Sequence, residues 1–235
     1  MKRFQLIGGL ALFGAVLLLL VGVVSAAKSP PPPEPLAPVE ALGKAIFFDE
    51  NLSLNRNQSC ATCHAPEAGW VGAKNIFNEA GSVYEGSIAG AFGDRKPPSA
   101  AYATTSPIFH YDEKAGLWVG GNFWDGRATG NRLGNPAADQ AQGPFLNPVE
   151  QALSDSACVV YRVCMADYPV DMTEVYPGAC NITWPAGTDT ACGVEGSVIG
   201  LSPGDRATSN MAYDSIALAI AAYEDSREAN AYSSK

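Results

Sequence analysis

Histidine is scarce in this sequence: only His64 and His110 occur among its 235 residues. Metal centres that need three or four imidazole ligands are therefore excluded. Charged residues are also few, at 17% against roughly 25% in an average soluble chain, which excludes a charged disordered tail and a coiled coil. The formal net charge of −9 argues against nucleic acid or an anionic membrane surface as a partner.

The N-terminus has the pattern of an export signal. Lys2 and Arg3 precede an uncharged apolar run of 22 residues, 6–27, which ends in the small-residue cleavage signal Val24-Ser-Ala. A run of this length can also span a bilayer, so cleavage near Ala27 and a membrane tether both stay open. In either case the sequence predicts that the rest of the chain is exported, which in a bacterium means a periplasmic location.

One motif carries most of the chemical information. Cys60-Ala-Thr-Cys63-His64 is C-x-x-C-H, the attachment site of c-type haem. Two thiols three residues apart lie on one side of a helical turn, where each can bond a haem vinyl group, and the following histidine is held under the iron as proximal ligand. A disulfide, a thioredoxin-like pair and half of a zinc site are the alternatives. The sequence has no second C-x-x-C to complete a zinc site, and export favours haem c.

Three further motifs occur around this one, in a fixed order. They are L-G-K-x-x-F-F-D-x-x-L-S from Leu42, F-W-D-G-R-A from Phe123, and Q-A-x-G-P-x-x-N-P-V-E from Gln140 to Glu150. Together with C-x-x-C-H they resemble the N-terminal, peroxidatic domain of bacterial di-haem cytochrome c peroxidases and their MauG relatives. The resemblance covers about 42–150 and continues more weakly through the last helix.

The resemblance implies roles for three more residues. Glu150 matches the glutamate of the family's distal pocket, Gln140 the glutamine beside it, and Trp124 the tryptophan placed between two haems for electron transfer. A carboxylate over the open face of the iron can relay the proton that peroxide must move between its oxygens. A neutral amide can orient peroxide or a water without competing as a strong ligand.

Taken without the resemblance, the same residues have simpler interpretations. Asn147-Pro-Val-Glu150 is a good helix start, with an N-cap, a proline at N1 and a glutamate at N3. Trp124 on its own favours core packing. Asp125 and Arg127 are most simply a local pair in a turn.

The function implied by the resemblance is reduction of hydrogen peroxide to water, with electrons from a small cytochrome or a cupredoxin. Two alternatives stay open. One is a MauG-like oxidase of a partner protein, and the other is an electron-transfer cytochrome without peroxidase activity. The last needs a sixth iron ligand from a spare histidine or a methionine: His110, Met165, Met172 or Met211. A homodimer also stays open.

The sequence departs from the family in three places. A second C-x-x-C-H, expected in a C-terminal domain, is absent, so a second haem is expected only if the native protein is longer. Some members place a histidine ligand in the loop that here contains Asp94, Arg95 and Lys96. Lys96 also replaces an asparagine that helps bind calcium in the peroxidases of the family, so the resemblance leaves calcium in doubt.

Four cysteines lie outside the haem motif, in residues 154–205: Cys158, Cys164, Cys180 and Cys192. In an exported chain they predict two disulfides, whose pairing the sequence does not fix. Because short loops cost less to close, we favour Cys158–Cys164 with Cys180–Cys192. The prolines and glycines of this segment suggest an insertion loop.

We therefore predict a mostly α fold: a c-type cytochrome domain with short helices around the haem, long loops and few strands. The organisation predicted is a signal peptide or anchor at 1–26, a proline-rich linker at 27–38 and a haem domain at 39–235 that contains the insertion at 154–205. Apolar or small side chains recur at helical spacing over 208–224, which predicts a closing helix there.

Overall fold

Helices joined by long loops make up most of the fold. The computed structural model describes residues 34–72 and 83–231. Within them, the α-helices are α1 (Pro38–Phe47), α2 (Cys60–Cys63), α3 (Pro136–Leu146), α4 (Ser156–Met165), α5 (Met172–Val175), α6 (Thr188–Ala191) and α7 (Pro203–Asp225). Short 3-10 turns lie at Glu50–Leu52, Pro66–Ala68 and Ala103–Thr105.

The described residues contain a single sheet, the two-stranded hairpin of β1 (His110–Asp112) and β2 (Leu117–Val119). The strands are antiparallel, and His110 pairs with Val119 in the register. The prediction of a mostly helical fold with few strands is therefore confirmed.

The long helix α7 forms the centre of the fold, as the periodicity over 208–224 predicted. Ser202 caps its start by accepting a hydrogen bond from the Asp205 amide at 3.1 Å, and Pro203 occupies the first helical position. Its buried face holds Ile216, Ala217 and Ile220, each at most 1% exposed. Helices α1, α3 and α4 pack around this face and build the core.

Helix α1 crosses α7 at unusually close range. Gly43 lies at the crossing, where an added Cβ would be 1.9 Å from the Ala219 carbonyl oxygen. On either side of it Leu42 and Ile46 are buried, which stabilises the contact by roughly 1.5–3 kcal/mol for each side chain. The close approach brings Phe47, at the end of α1, against the C-terminal half of α7.

Two arginines, the buried Arg162 and the half-buried Arg206, tie α4 into this arrangement. Arg162 donates to the Ser53 carbonyl at 2.5 Å and to the Cys192 carbonyl at 3.0 Å, which fixes the chain leading to Cys60. Arg206 of α7 makes two hydrogen bonds, at 2.7 and 2.9 Å, to Asp155, the N-cap of α4. Because both carboxylate oxygens are engaged, this pair holds α4 and α7 in one orientation.

The segment 154–205 differs from the loop that we predicted. Its first part is helix α4, in which Val159 and Val160 are fully buried in the core. The prolines and glycines that suggested a loop all follow that helix. Several apolar side chains of α4 therefore belong to the hydrophobic core and not to a surface loop.

The cysteine pairing also differs from the one that we favoured. The structure pairs Cys158 with Cys192 and Cys164 with Cys180. Cys158 and Cys164 both lie in α4, six residues apart, so about 9 Å of rise and about 240° of rotation separate them. Two cysteines with Cα atoms more than about 7 Å apart cannot be bridged without moving the backbone. The number of residues between two cysteines does not decide their pairing here, because the helix that contains Cys158 and Cys164 holds them apart.

The predicted export segment, 1–26, and most of the linker, 27–38, lie outside the described residues. Among residues 34–72 and 83–231, no helix is both long and apolar enough to cross a membrane.

We predict that Gly43→Ala destabilises the fold, because the new methyl group would overlap the Ala219 carbonyl and force α1 away from α7. The expected loss is about 1–3 kcal/mol of unfolding free energy. Gly204→Ala is the matched control, since a Cβ there has no heavy atom within 4 Å. Denaturant unfolding of the haem-loaded protein would measure both, and equal midpoints for the two variants would contradict this account of the crossing.

Candidate haem site

The C-x-x-C-H motif forms a single tight turn. Helix α2 covers Cys60–Cys63, and the His64 amide closes the turn by donating to the Cys60 carbonyl at 2.9 Å. The Ser59 amide donates to the Thr62 hydroxyl at 3.0 Å, which steadies the start of the turn. Cys60, Cys63 and His64 all line one cavity, as the haem interpretation requires.

The two thiols of the motif, Cys60 and Cys63, are not paired in a disulfide. Burial raises the pKa of Cys63 to about 12, and the carboxylate of Glu150 adds to this effect. Burial also raises the pKa of Cys60 well above its usual range. Both side chains are therefore neutral thiols at pH 7.

His64 is held in the form that an iron ligand needs. Its Nδ1 lies 3.3 Å from the carbonyl oxygen of Trp70. A carbonyl only accepts, so this hydrogen bond requires the proton on Nδ1, and that tautomer leaves the lone pair on Nε2. The backbone of Pro98 makes a second hydrogen bond to the ring. Burial lowers the pKa of His64, which favours the neutral ring.

The cavity around the motif is lined by both apolar and polar side chains and opens to solvent. Phe47 and Ile220 line it with apolar surface, brought there by the crossing of α1 and α7. Two unpaired thiols and a neutral imidazole on one apolar-walled cavity fit a covalently attached haem.

Gln140 and Glu150 line the same cavity from α3 and the turn that follows it. The helix start predicted at Asn147 is wrong: Asn147 ends α3, and residues 148–151 form a turn in which the Glu150 amide donates to the Asn147 carbonyl at 2.9 Å. The Glu150 carbonyl accepts from the Ser87 amide at 2.6 Å. These backbone bonds fix where the Glu150 side chain enters the cavity.

The carboxyl group of Glu150 has a raised pKa. Burial is the main cause; a hydrogen bond from Asn147 and the charge of Arg127 oppose it, and the charge of Asp94 adds to it. A carboxyl group whose pKa is raised toward neutrality both accepts and returns protons more readily at working pH. The environment of Glu150 therefore suits proton transfer.

Trp124 lies at the mouth of the cavity and is 66% exposed. The core-packing interpretation is therefore wrong. Its indole Nε1 donates to the Lys96 carbonyl at 2.9 Å, which fixes the ring in spite of its exposure. The ring is thus a rigid, solvent-facing aromatic group in contact with the cavity.

The turn after Trp124 contains the predicted local pair. Arg127 donates to Asp125 at 2.8 Å, and its guanidinium lies 3.8 Å from the centre of the Phe123 ring. Arg95 reaches the same carboxylate at 3.3 Å. Gly126 has φ of +70° and a Cβ there would be 2.9 Å from the Phe109 ring, so the turn requires glycine.

The alternative sixth ligands lie elsewhere. His110 is exposed on β1, and its Nδ1 lies 2.7 Å from the Ile108 carbonyl. The cavity lining includes neither His110 nor the methionines Met165, Met172 and Met211.

Glu224 is a cavity residue that the sequence analysis missed. It is 4% exposed, lines the cavity from α7, and its Oε2 has no hydrogen-bond partner among the described residues. Burial raises its pKa to about 8. A signal was available, because Ile216, Ile220 and Glu224 are spaced four residues apart and share the buried face of α7.

Comparison with known proteins identifies the family of this chain. A family model described as di-haem cytochrome c peroxidase matches residues 37–234. The chain belongs to this family. The resemblance drawn from the sequence motifs is therefore confirmed.

Several relatives were found within the family. MauG of Paracoccus denitrificans is 42% identical over 124 residues, which are 52% of this chain and 30% of that protein. Cytochrome c peroxidase Ccp of Escherichia coli is 35% identical over 112 residues, 48% of this chain and 18% of its own length. The chain thus spans less than a third of the length of these two relatives.

A solved structure supports the fold assignment. The di-haem peroxidase BthA of Burkholderia thailandensis aligns with 85% of this chain and 40% of its own, at 27% identity and a TM-score of 0.62. The predicted cytochrome-type architecture around a haem therefore agrees with a solved member of the same class.

Proposed function

We propose that this chain is the peroxide-reacting haem domain of an exported peroxidase. It would reduce hydrogen peroxide to water with electrons from a small periplasmic cytochrome or cupredoxin. One observation carries the proposal: Glu150, a carboxyl group with a raised pKa, lines the same cavity as the C-x-x-C-H turn. Family membership and the relatives named peroxidase support it.

The three residues of the C-x-x-C-H motif would hold the haem. Cys60 and Cys63 would hold the haem through two thioethers, and His64 would bind its iron through Nε2. Once bound, the haem supplies the site for peroxide and the two-electron chemistry. The overall reaction takes one peroxide, two protons and two electrons to two waters.

Two residues of the cavity wall would then handle peroxide and protons. Glu150 would accept the proton of the inner peroxide oxygen and return it to the outer one. Gln140 would orient peroxide through its amide. Trp124 would pass electrons inward, because its indole both contacts the cavity and faces solvent.

A MauG-like reaction, in which the oxidant acts on a partner protein, is the second candidate. The identity of 42% to Paracoccus MauG favours it. Both candidates use the same residues and differ in the molecule that supplies electrons. The electron-transfer alternative is less well supported, since among the described residues the cavity lining contains no histidine besides His64 and no methionine.

Export also belongs to the proposal. The apolar run at residues 6–27 and its cleavage signal indicate transfer to the periplasm, where haem is attached and disulfides form. If this run is not cleaved, it would tether the chain to the membrane. A second haem is expected only in a longer native chain.

The first prediction of the proposed function concerns haem attachment. Cys63→Ala should leave one haem vinyl group unsaturated, so the α-band of the pyridine haemochrome should move to longer wavelength than in the parent protein. Cys180→Ala is a control that removes a cysteine from outside the cavity, and its haemochrome should match the parent's. Exported protein without covalent haem in the parent would contradict the whole proposal.

The second prediction concerns Glu150. In Glu150→Gln the reaction with peroxide should slow by about 10²-fold or more, the size expected for a lost proton relay. Because the base form is needed and burial raises the pKa of Glu150, the parent rate should rise with pH through a pKa above the usual carboxylate range. The variant should lose that rise. Stopped-flow Soret changes across pH would measure both.

Glu113→Gln, in the exposed turn of the hairpin, is the matched control and should behave like the parent. Unchanged peroxide kinetics in Glu150→Gln would remove the mechanism.

The third prediction concerns the cysteine pairs. Non-reducing proteolysis and mass spectrometry of exported protein should give peptides that link Cys158 with Cys192 and Cys164 with Cys180. A peptide that links Cys180 with Cys192, or free thiols at these four positions, would refute the pairing.

A further inference from the structure

An aromatic cluster lies beside the haem site and has no role in the proposed function. Its members are Phe47, Phe48, Trp70 and Tyr223. The ring centres of Phe47, Trp70 and Tyr223 form a triangle with sides of 5.6–5.8 Å, and each pair meets edge to face. Tyr223 is fully buried and Trp70 is 8% exposed. The indole and the phenol are therefore in contact, out of solvent.

This cluster is connected to the iron ligand. The Trp70 carbonyl accepts the hydrogen bond from Nδ1 of His64 at 3.3 Å, so one hydrogen bond and a few covalent bonds join the imidazole to the indole. Phe47 of the same cluster lines the cavity. An electron can thus pass between the haem site and Trp70 along a short path, and from Trp70 to Tyr223 across an aromatic contact.

The phenol of Tyr223 has a proton acceptor. Its hydroxyl donates to Oε1 of Glu228 at 3.2 Å. Glu228 in turn pairs with Lys44 at 2.5 Å, and both of these side chains are 42% exposed. Oxidation of a tyrosine requires the loss of the phenolic proton, and a carboxylate at hydrogen-bond distance with access to solvent can take it.

A second tyrosine–tryptophan pair lacks these features. Tyr161 and Trp184 also meet edge to face, with ring centres 5.2 Å apart. Neither residue lines the cavity. This pair has similar ring chemistry and packing without the link to His64, which makes it an internal control.

We propose that Tyr223 and Glu228 form a redox-active tyrosine site that holds an oxidising equivalent outside the haem cavity. The proposal rests on the proposed function, with hydrogen peroxide as the oxidant. With peroxide as the oxidant, one electron would leave Tyr223 through Trp70 toward the haem that the C-x-x-C-H motif would hold. The O–H bond of the phenol breaks, its proton goes to Oε1 of Glu228, and a neutral tyrosyl radical remains. A one-electron donor and return of the proton restore the phenol.

The test uses the haem-loaded chain mixed with hydrogen peroxide and frozen for electron paramagnetic resonance. The parent protein should give a radical signal that narrows when the protein is grown with ring-deuterated tyrosine. Tyr223→Phe keeps the ring packing and should lose this signal. Glu228→Gln should weaken it, since the amide does not take the proton, and Trp70→Phe should slow its appearance while keeping the carbonyl that His64 contacts.

Tyr161→Phe is the matched control and should give the parent signal. Peptide mapping after the reaction is the second readout and should find oxidation at Tyr223 and not at Tyr161. A tyrosyl signal that survives in Tyr223→Phe, or is lost equally in Tyr161→Phe, would overturn the inference. If the Soret band changes but no tyrosyl radical forms, the inference fails and the proposed function stands. If peroxide leaves the Soret band unchanged, both fail.

Discussion

The close crossing of α1 and α7 is the constraint on which the haem site depends. Without a side chain at Gly43, the backbone of α1 reaches the Ala219 carbonyl, and Phe47 of α1 and Ile220 of α7 both line the cavity. The same approach brings Phe47 against Tyr223. The lining and the aromatic cluster are thus two consequences of one backbone contact, and a wider crossing would open both.

Low dielectric surroundings set the proton states of the site. Burial is the main cause of the shifts at His64, Glu150 and Glu224: it lowers the pKa of the imidazole and raises the pKa of the two carboxyl groups. Each shift favours the uncharged form. A haem in this cavity would therefore meet a neutral ligand and two carboxyl groups that keep their protons to higher pH than usual, which suits a reaction that consumes two protons for each peroxide.

How far the sequence predicts this molecule depends on the kind of feature. The C-x-x-C-H turn and the long helix α7 follow from local spacing, so they were predictable, and so were the three motifs whose members line one cavity. Features that depend on tertiary contacts were not. The helix start at Asn147 fails because α3 ends there, and the favoured pairing of Cys158 with Cys164 fails because α4 places both on one helix. Glu224 was missed because a charged residue on an apolar stripe is easily assigned to the surface.

The two aromatic groups beside the cavity differ in what accompanies electron transfer. The indole of Trp124 donates to a backbone carbonyl, which takes no proton, and the ring faces solvent. The phenol of Tyr223 donates to a carboxylate and is buried. An electron can therefore cross Trp124 without a proton, whereas oxidation of Tyr223 is tied to proton transfer and its reversal needs that proton back. In the proposed function, the exposed ring of Trp124 would therefore favour rapid electron transfer from a donor protein. The buried ring of Tyr223 would favour a longer-lived radical. The two roles fall on different residues, so neither would interfere with the other.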